Sequence, residues 1–195
     1  MVSESEVFEM FDQSYVTKQK YAEFDAAARD RLASRLPPIL LALLGRDGFC
    51  SYNDGFLWTC DPDEWNGMAQ PWFPKRKGWE SILRTAFGET FLWNGKEVWL
   101  AKVNDAQTVY CAARAEIFLA VYLTLASFLK DSGRLAEFKK ALRKIGPIAA
   151  DEVYIWVPSL LIGGDSGSSK IDKGKAAVAL DILSQQAKIS IVTPD

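Results

Sequence analysis

The chain has 195 residues, 49% apolar and 25% charged, and its 23 basic and 25 acidic side chains leave a net charge of −2. That length and composition fit one domain or two small ones, with a core large enough to need no metal or disulfide staple, and the charge balance excludes the strongly basic footprint usual for nucleic-acid binding. There is no histidine, which removes the commonest proton shuttle and zinc ligand, yet there are seven tryptophans, six of them between Trp58 and Trp99.

The N-terminal Met1-Val2-Ser3-Glu4-Ser5-Glu6 is acidic and lacks the apolar core of a signal peptide. Ser3 with Glu6 reads as a capping box, and Val7, Phe8 and Phe11 continue at helical spacing. A second helix is expected from Lys18 to Arg35, with Tyr21, Phe24, Ala28 and Leu32 on one side. Leu36-Pro37-Pro38 starts a third, Ile39 to Leu44, which Gly45 and Gly48 end. From Phe49 the period changes. Asp54-Gly55 marks a turn and Phe56-Leu57-Trp58 a short strand, and then Asp61 caps a helix that begins at Pro62 with acids in its first turn. Pro71, Pro74 and Lys75-Arg76-Lys77 mark a loop. Phe91-Leu92-Trp93 and Val98-Trp99-Leu100 flank Asn94-Gly95, the clearest hairpin signal in the chain.

The second half reads as mostly helical. A long apolar helix is expected over Arg114 to Lys130, broken by Gly133. Its uncharged run, Ile117 to Leu129, is too short to span a bilayer. Leu135, Phe138, Leu142 and Ile145 mark a further helix ended by Gly146-Pro147. Val153 to Val157 is strand-like, Gly163 to Ser169 a loop, Lys175 to Lys188 a final helix and Ile189 to Val192 a terminal strand. Trp58, Trp65, Trp72 and Trp79 are spaced by seven, but Pro62, Gly67, Pro71 and Pro74 between them exclude one continuous helix. The expected fold is α+β: a small antiparallel sheet with surrounding helices over residues 1–104, then a mainly helical part over 105–195.

The motifs that could carry catalysis fail on chemistry. Gly164-Asp165-Ser166-Gly167 resembles a serine-protease nucleophile loop, but no histidine is present to take the serine proton. Gly174-Lys175 lacks both the earlier glycine and the following Ser/Thr of a phosphate loop. Cys50, Cys60 and Cys111 form no metal set, and their odd number suits a reducing compartment and disfavours a Cys50–Cys60 bridge. Asp61, Asp63 and Glu64 are dense enough for metal-assisted work, but capping and dipole pairing explain them better. No catalytic residue, metal or cofactor is therefore expected. Lys139, Lys140, Arg143 and Lys144 read as a solvated helix face.

Between Asp47 and Glu64 lie five acids and no base, interleaved with Phe49, Tyr52, Phe56 and Trp58. Two readings stand. Either the aromatics face the core and the acids face water, or aromatic anchors in an acidic field grip a basic protein partner.

Gly48 to Trp58 after Leu36-Pro37-Pro38, then Asp61-Pro62-Asp63-Glu64-Trp65 and Arg84 to Trp93, resemble a GAD-like domain. Asp151-Glu152-Val153-Tyr154-Ile155-Trp156-Val157-Pro158-Ser159-Leu160 with Gly163-Gly164 resembles the C-terminal domain that follows it in type VI secretion immunity proteins. Ile155-Trp156 replaces the more usual Gly-Phe, and the first 35 residues match poorly. The resemblance implies a cytoplasmic bacterial immunity protein that binds and blocks a cognate toxin, often a nuclease and particularly a DNase with a basic surface. It implies no direct contact with nucleic acid or membrane, and says nothing of oligomeric state. The family motifs carry fold and name no toxin contacts. The acidic run supplies the expected ones: Asp54, Asp61, Asp63, Glu64 and Trp65. The alternative class is a regulatory or scaffold module such as the SMI1/KNR4-like domains.

Overall fold

The computed structural model describes residues 3–73 and 78–192. Helix α1 (Glu4–Ser14) opens at the expected capping box: Ser3 Oγ accepts from Glu6 N at 3.3 Å, and Glu6 Oε2 accepts from Ser3 N at 2.7 Å. The helix expected over 18–35 divides in two. Lys18–Ala22 is strand β1, and only Ala26–Leu32 is helical (α2), started by the Asp25 carboxylate, which accepts from Ala28 N at 2.8 Å. Apart from half-buried Tyr21, β1 faces solvent, so its sequence carries no apolar alternation; pairing with its neighbour makes it a strand. Helix α3 (Pro38–Asp47) starts on Pro38 and closes at Gly48, whose φ of 73° suits glycine; Gly45 lies inside the helix.

Strands β2 (Phe49–Tyr52) and β3 (Leu57–Thr59) flank the Asp54-Gly55 turn, and α4 (Pro62–Ala69) follows with Asp61 as its cap. Gln70–Trp72 adds one 3₁₀ turn, while Pro74 and the basic triplet 75–77 lie outside the described residues. Strands β4 (Glu80–Thr85), β5 (Thr90–Trp93), β6 (Val98–Lys102) and β7 (Gln107–Ala112) continue the meander. In the β5–β6 hairpin the Asn94 carboxamide accepts from Lys96 N and Glu97 N, at 3.0 and 2.7 Å, so the turn is set by a side chain as well as by Gly95.

The long helix expected over 114–130 is three pieces: α5 (Ala115–Ala120), a 3₁₀ turn at Tyr122–Thr124 and α6 (Ala126–Lys130). Thr124 Oγ1 donates to Ala120 O and Val121 O, diverting carbonyls that a continuing helix would use, and Leu125 is extended. The breaks let Phe118, Leu123 and Phe128 enter one cluster. Gly133 follows where a Cβ would stand 2.8 Å from Phe56 Cζ and 3.0 Å from Phe128 O. Helix α7 (Leu135–Ile145) ends at Gly146 as expected; β8 (Glu152–Val157) pairs with β9 (Lys170–Lys175), a strand absent from the sequence expectation, and α8 (Ala176–Gln186) and β10 (Ser190–Val192) complete the described chain.

The α+β class holds, with a sheet of eight strands in the order β1-β2-β3-β4-β5-β6-β7-β10 and a separate β8-β9 pair. All neighbours in the large sheet are antiparallel except β10, which runs parallel to β7. Both faces of the sheet are covered, so its central strands are apolar on both sides. One cluster takes Phe91, Val98 and Leu100 with Phe11, Leu43, Phe118 and Phe138; the other takes Leu92 and Ala101 with Trp65, Trp72, Leu180 and Leu183. The four tryptophans spaced by seven fall on β3, α4, the 3₁₀ turn and the approach to β4. Trp58, Trp65, Trp72, Trp93, Trp99 and Trp156 are buried, and Trp79 is half-buried and stacked on Phe73 with ring centres 4.5 Å apart. The three cysteines are free.

The junction expected near Asn104-Asp105 lies in the turn joining β6 to β7, two strands of one sheet. A buried polar cluster sits there. Glu89, 0% exposed, accepts from Asn104 Nδ2 at 3.0 Å through Oε1. Arg134 Nε stands 3.6 Å from the same oxygen, beyond hydrogen-bond reach, and Arg134 Nη2 donates to Asp105 at 2.6 Å. Glu89 Oε2 and Trp156 Nε1 have no hydrogen-bond partner among the described residues, and Arg134 lies 5.0 Å from the Trp156 ring centre.

Candidate functional site

The acids at the start of α4 are held by the preceding helix. Arg31, on α2, forms a bidentate pair with Asp61 at 2.8 and 2.9 Å and also bonds Asp63. Arg35, just beyond α2, donates to Asp63 at 2.7 Å and forms a second bidentate pair with Glu80 at 2.7 and 3.1 Å. Asn66 joins the network, donating to Glu80 at 2.9 Å and accepting from Ser81 N at 2.8 Å. Asp61 also keeps its cap role, accepting from Asp63 N at 3.0 Å. The Arg35 guanidinium, with Arg31, holds the Asp63 carboxyl below its usual range, and the bonds to Asp61 and Asp63 raise Arg31 further. The stretch that carries no base in sequence is thus partly neutralised by two bases some thirty positions upstream.

Glu64 stands apart: it is exposed and no ion pair reaches it among the described residues. It occupies the ridge between two cavities. One, of about 540 Å³, lies between α4 and the start of α8, with Tyr21, Trp65 and Met68 supplying apolar wall and Glu64, Asp151 and Lys175 supplying charge. The other, of about 290 Å³, is lined by Glu23, Asp25, Arg31, Asp61 and Glu64 and shares Tyr21 with the first. Across both, five carboxylates face two cations, and each cation is already paired: Arg31 as above, and Lys175 with Asp151 at 2.7 Å.

Of the other two expected contacts, Trp65 lies beneath the cleft and Asp54 lies outside it. Trp65 is only 3% exposed, so it offers a partner almost no area. It lies on the inner side of α4, with the Arg84 guanidinium 4.6 Å from its ring centre and 4.6 Å from that of Trp58. Arg84 donates to Ala150 O at 2.8 Å, and burial pulls its guanidinium down to about 10. Trp65 therefore forms the floor of the first cavity. Asp54 is exposed but sits in the β2–β3 turn, at the other end of β3 from Asp61. The structure brings Asp61, Asp63 and Glu64 together and leaves Asp54 outside. Glu23 and Asp151, which complete the acidic lining, come from positions with no local signal. Burial of Cys60 beneath this region pushes its thiol up, which opposes thiolate chemistry. Among the described residues no three acidic or cysteine side chains converge as a metal-ligand set, and no helix is long and apolar enough to cross a membrane.

Residues 6–106 match the GAD-like domain family, and residues 113–186 match the family described as T6SS immunity protein Tdi1, C-terminal. The first match starts at residue 6 and so takes in most of the N-terminal segment that motif resemblance left out. No curated protein is significantly similar to the chain. Among solved structures, the crystal structure of Atu4351 from Agrobacterium tumefaciens shares the fold, with a TM-score of 0.75 at 14% identity over 95% of this chain and 92% of that one. The chain belongs to the GAD-like domain family and carries behind that domain the C-terminal domain of a type VI secretion immunity protein.

Proposed function

We propose that the protein binds and neutralises a cognate type VI toxin, without turnover of its own, and that the acidic double cleft around Glu64 receives a basic surface of that toxin. The observation that carries this reading is the position of Glu64: exposed, unpaired and shared by two cavities whose other carboxylates are Glu23, Asp25, Asp61 and Asp151. A lysine or arginine of the partner would lay its aliphatic stem on Tyr21, Trp65 and Met68 and its charge among these carboxylates. Asp61 and Asp63 contribute field in spite of their arginines, because three carboxylates (with Glu80) outnumber two guanidiniums there. Asp54 serves as an outlying steering charge and Trp65 as the rigid floor.

A basic surface suits a nuclease, whose substrate is a polyanion. The toxin is accordingly read as a DNase, blocked by occlusion of its active site or DNA groove in the bacterial cytoplasm. The test is co-expression with the product of the adjacent reading frame. The two should copurify and toxicity should disappear. Glu64→Lys combined with Glu23→Lys should weaken binding by roughly tenfold or more and flatten its salt dependence. Unchanged affinity and salt slope in this folded variant would remove the cleft as the docking surface, and failure to copurify would remove toxin binding itself.

A further inference from the structure

The basic residues that sequence alone assigns to a solvated helix face are brought against the loop that enters β9. A cleft of about 220 Å³ lies between the C-terminal half of α7 and the loop entering β9. Lys140 and Lys144 line it from α7, one turn apart on the same face; Ser168, Ser169 and Lys170 line it from the loop and strand, with Ala141 and Ile171 between. No carboxylate lines it. Among the described residues neither Lys140 nor Lys144 has an ion-pair partner. Lys170 has one, Asp172 at 2.8 Å.

The nearest loop acid is committed elsewhere. Asp165 Oδ1 accepts from Gly167 N at 2.8 Å and from Ser168 N at 3.0 Å, and this fixes the loop whose Ser168 and Ser169 line the cleft. Ser169 Oγ accepts from Asp165 N at 2.9 Å, which leaves its own O–H free to donate. Helix-dipole compensation accounts for a lysine in the last turn of α7. It does not account for Lys140 a turn earlier. The two unpaired lysines of α7 stand one turn apart at this cleft and repel one another, and an anion with several acceptor oxygens relieves that cost.

We propose that this cleft binds a phosphate group, held by the ammonium groups of Lys140 and Lys144, with Ser168 and Ser169 of the facing loop as further donors. The cleft is smaller than the pockets that enclose a whole drug-sized ligand, about 300 Å³ and above, so it takes the phosphate and leaves whatever the phosphate is attached to outside. A small phosphate monoester and the phosphodiester of a nucleic acid share this chemistry. The site is separate from the acidic cleft around Glu64, and its test needs no toxin.

The experiment is an NMR titration of the full chain with inorganic phosphate, adenosine monophosphate and a short DNA duplex, each at constant ionic strength. The same titrations are run on Lys140→Gln/Lys144→Gln and on a control of equal charge, Lys139→Gln/Arg143→Gln, whose altered residues do not line the cleft. Saturable shifts confined to Ala141, Ile145 and Ser168 to Ile171 on adding phosphate and the monophosphate, weakened about tenfold or more in the cleft variant but not in the control, are expected. Saturable shifts at these residues with the duplex alone, lost in the same variant, would support the site with nucleic acid as the source of the phosphate. No saturable shift at millimolar ligand, or equal weakening in cleft and control variants, overturns the proposal. All four substituted side chains are exposed and glutamine keeps the helix, so loss of fold does not imitate loss of the site.

Discussion

Glu89→Gln should make the protein more stable above neutral pH and leave it nearly unchanged in mild acid. Glu89 is wholly buried, one carboxylate oxygen has no hydrogen-bond partner among the described residues, and its nearest cation stands 3.6 Å away while bonding Asp105 more closely. Burial pushes its carboxyl from 4.5 up to about 7. The folded chain therefore holds a proton that the unfolded chain releases. The stabilising contribution is complete below about pH 4.5 and lost as pH rises through about 7. A shift of that size corresponds to roughly 3 kcal/mol across the window. Glutamine keeps an oxygen for Asn104 and removes the buried charge. It sets an N–H₂ near the Arg134 donor, which costs about 1 kcal/mol, so the net gain near pH 8 should be about 2 kcal/mol, or roughly 4–8 °C in Tm. The assay is urea unfolding followed by tryptophan fluorescence at about pH 5 and about pH 8. No histidine titrates between these values to blur the slope. A variant that tracks the parent at both pH values, or is weaker at the higher one, would refute the reasoning and show that Arg134 holds Glu89 as a stabilised carboxylate.

Arg31→Ala frees Asp61 and Asp63 of their shared guanidinium; stability measured by urea should fall by about 1 kcal/mol, since the pairs are partly open to solvent and Asp63 keeps Arg35. If the acidic cleft steers a basic toxin, the same variant should bind with a faster association rate and a steeper salt dependence in surface plasmon resonance. Gly133→Ala should destabilise by about 1–3 kcal/mol in thermal melts, because its methyl would meet Phe56 and a backbone carbonyl of α6. Trp65→Ala should cost roughly 3–5 kcal/mol through cavity formation, and Trp65→Phe much less. If the alanine variant keeps the parent's Tm while losing the toxin, Trp65 is an anchor after all.

Local signals read true where a side chain closes its own backbone. Ser3 with Glu6, Asp61 before Pro62, Asn94 before Gly95, and Gly146 after Ile145 all act within a few residues of themselves. Elements made by distant partners were hidden. Strand β1 is polar and exposed and exists because β2 lies beside it, and the helix expected over 114–130 breaks where a threonine hydroxyl takes its carbonyls. The candidate site divides in the same way. Glu64 was legible as an acid in a first helical turn, but Arg31 and Arg35, which neutralise its neighbours, and Glu23 and Asp151, which enlarge the cleft, are joined to it only by folding. The burial of Trp65 was not legible, because an aromatic among acids looks the same in sequence whether it faces water or a buried guanidinium.

The last described strand has a consequence for how the protein is made. β10 is laid against β7 by residues 190–192, some eighty positions after its neighbour in the chain has been synthesised. Until then β7 is a bare edge at the end of a seven-strand ladder, ready to template pairing with another chain. If the protein serves as an immunity factor, its effective protective level therefore depends on how promptly that final strand docks.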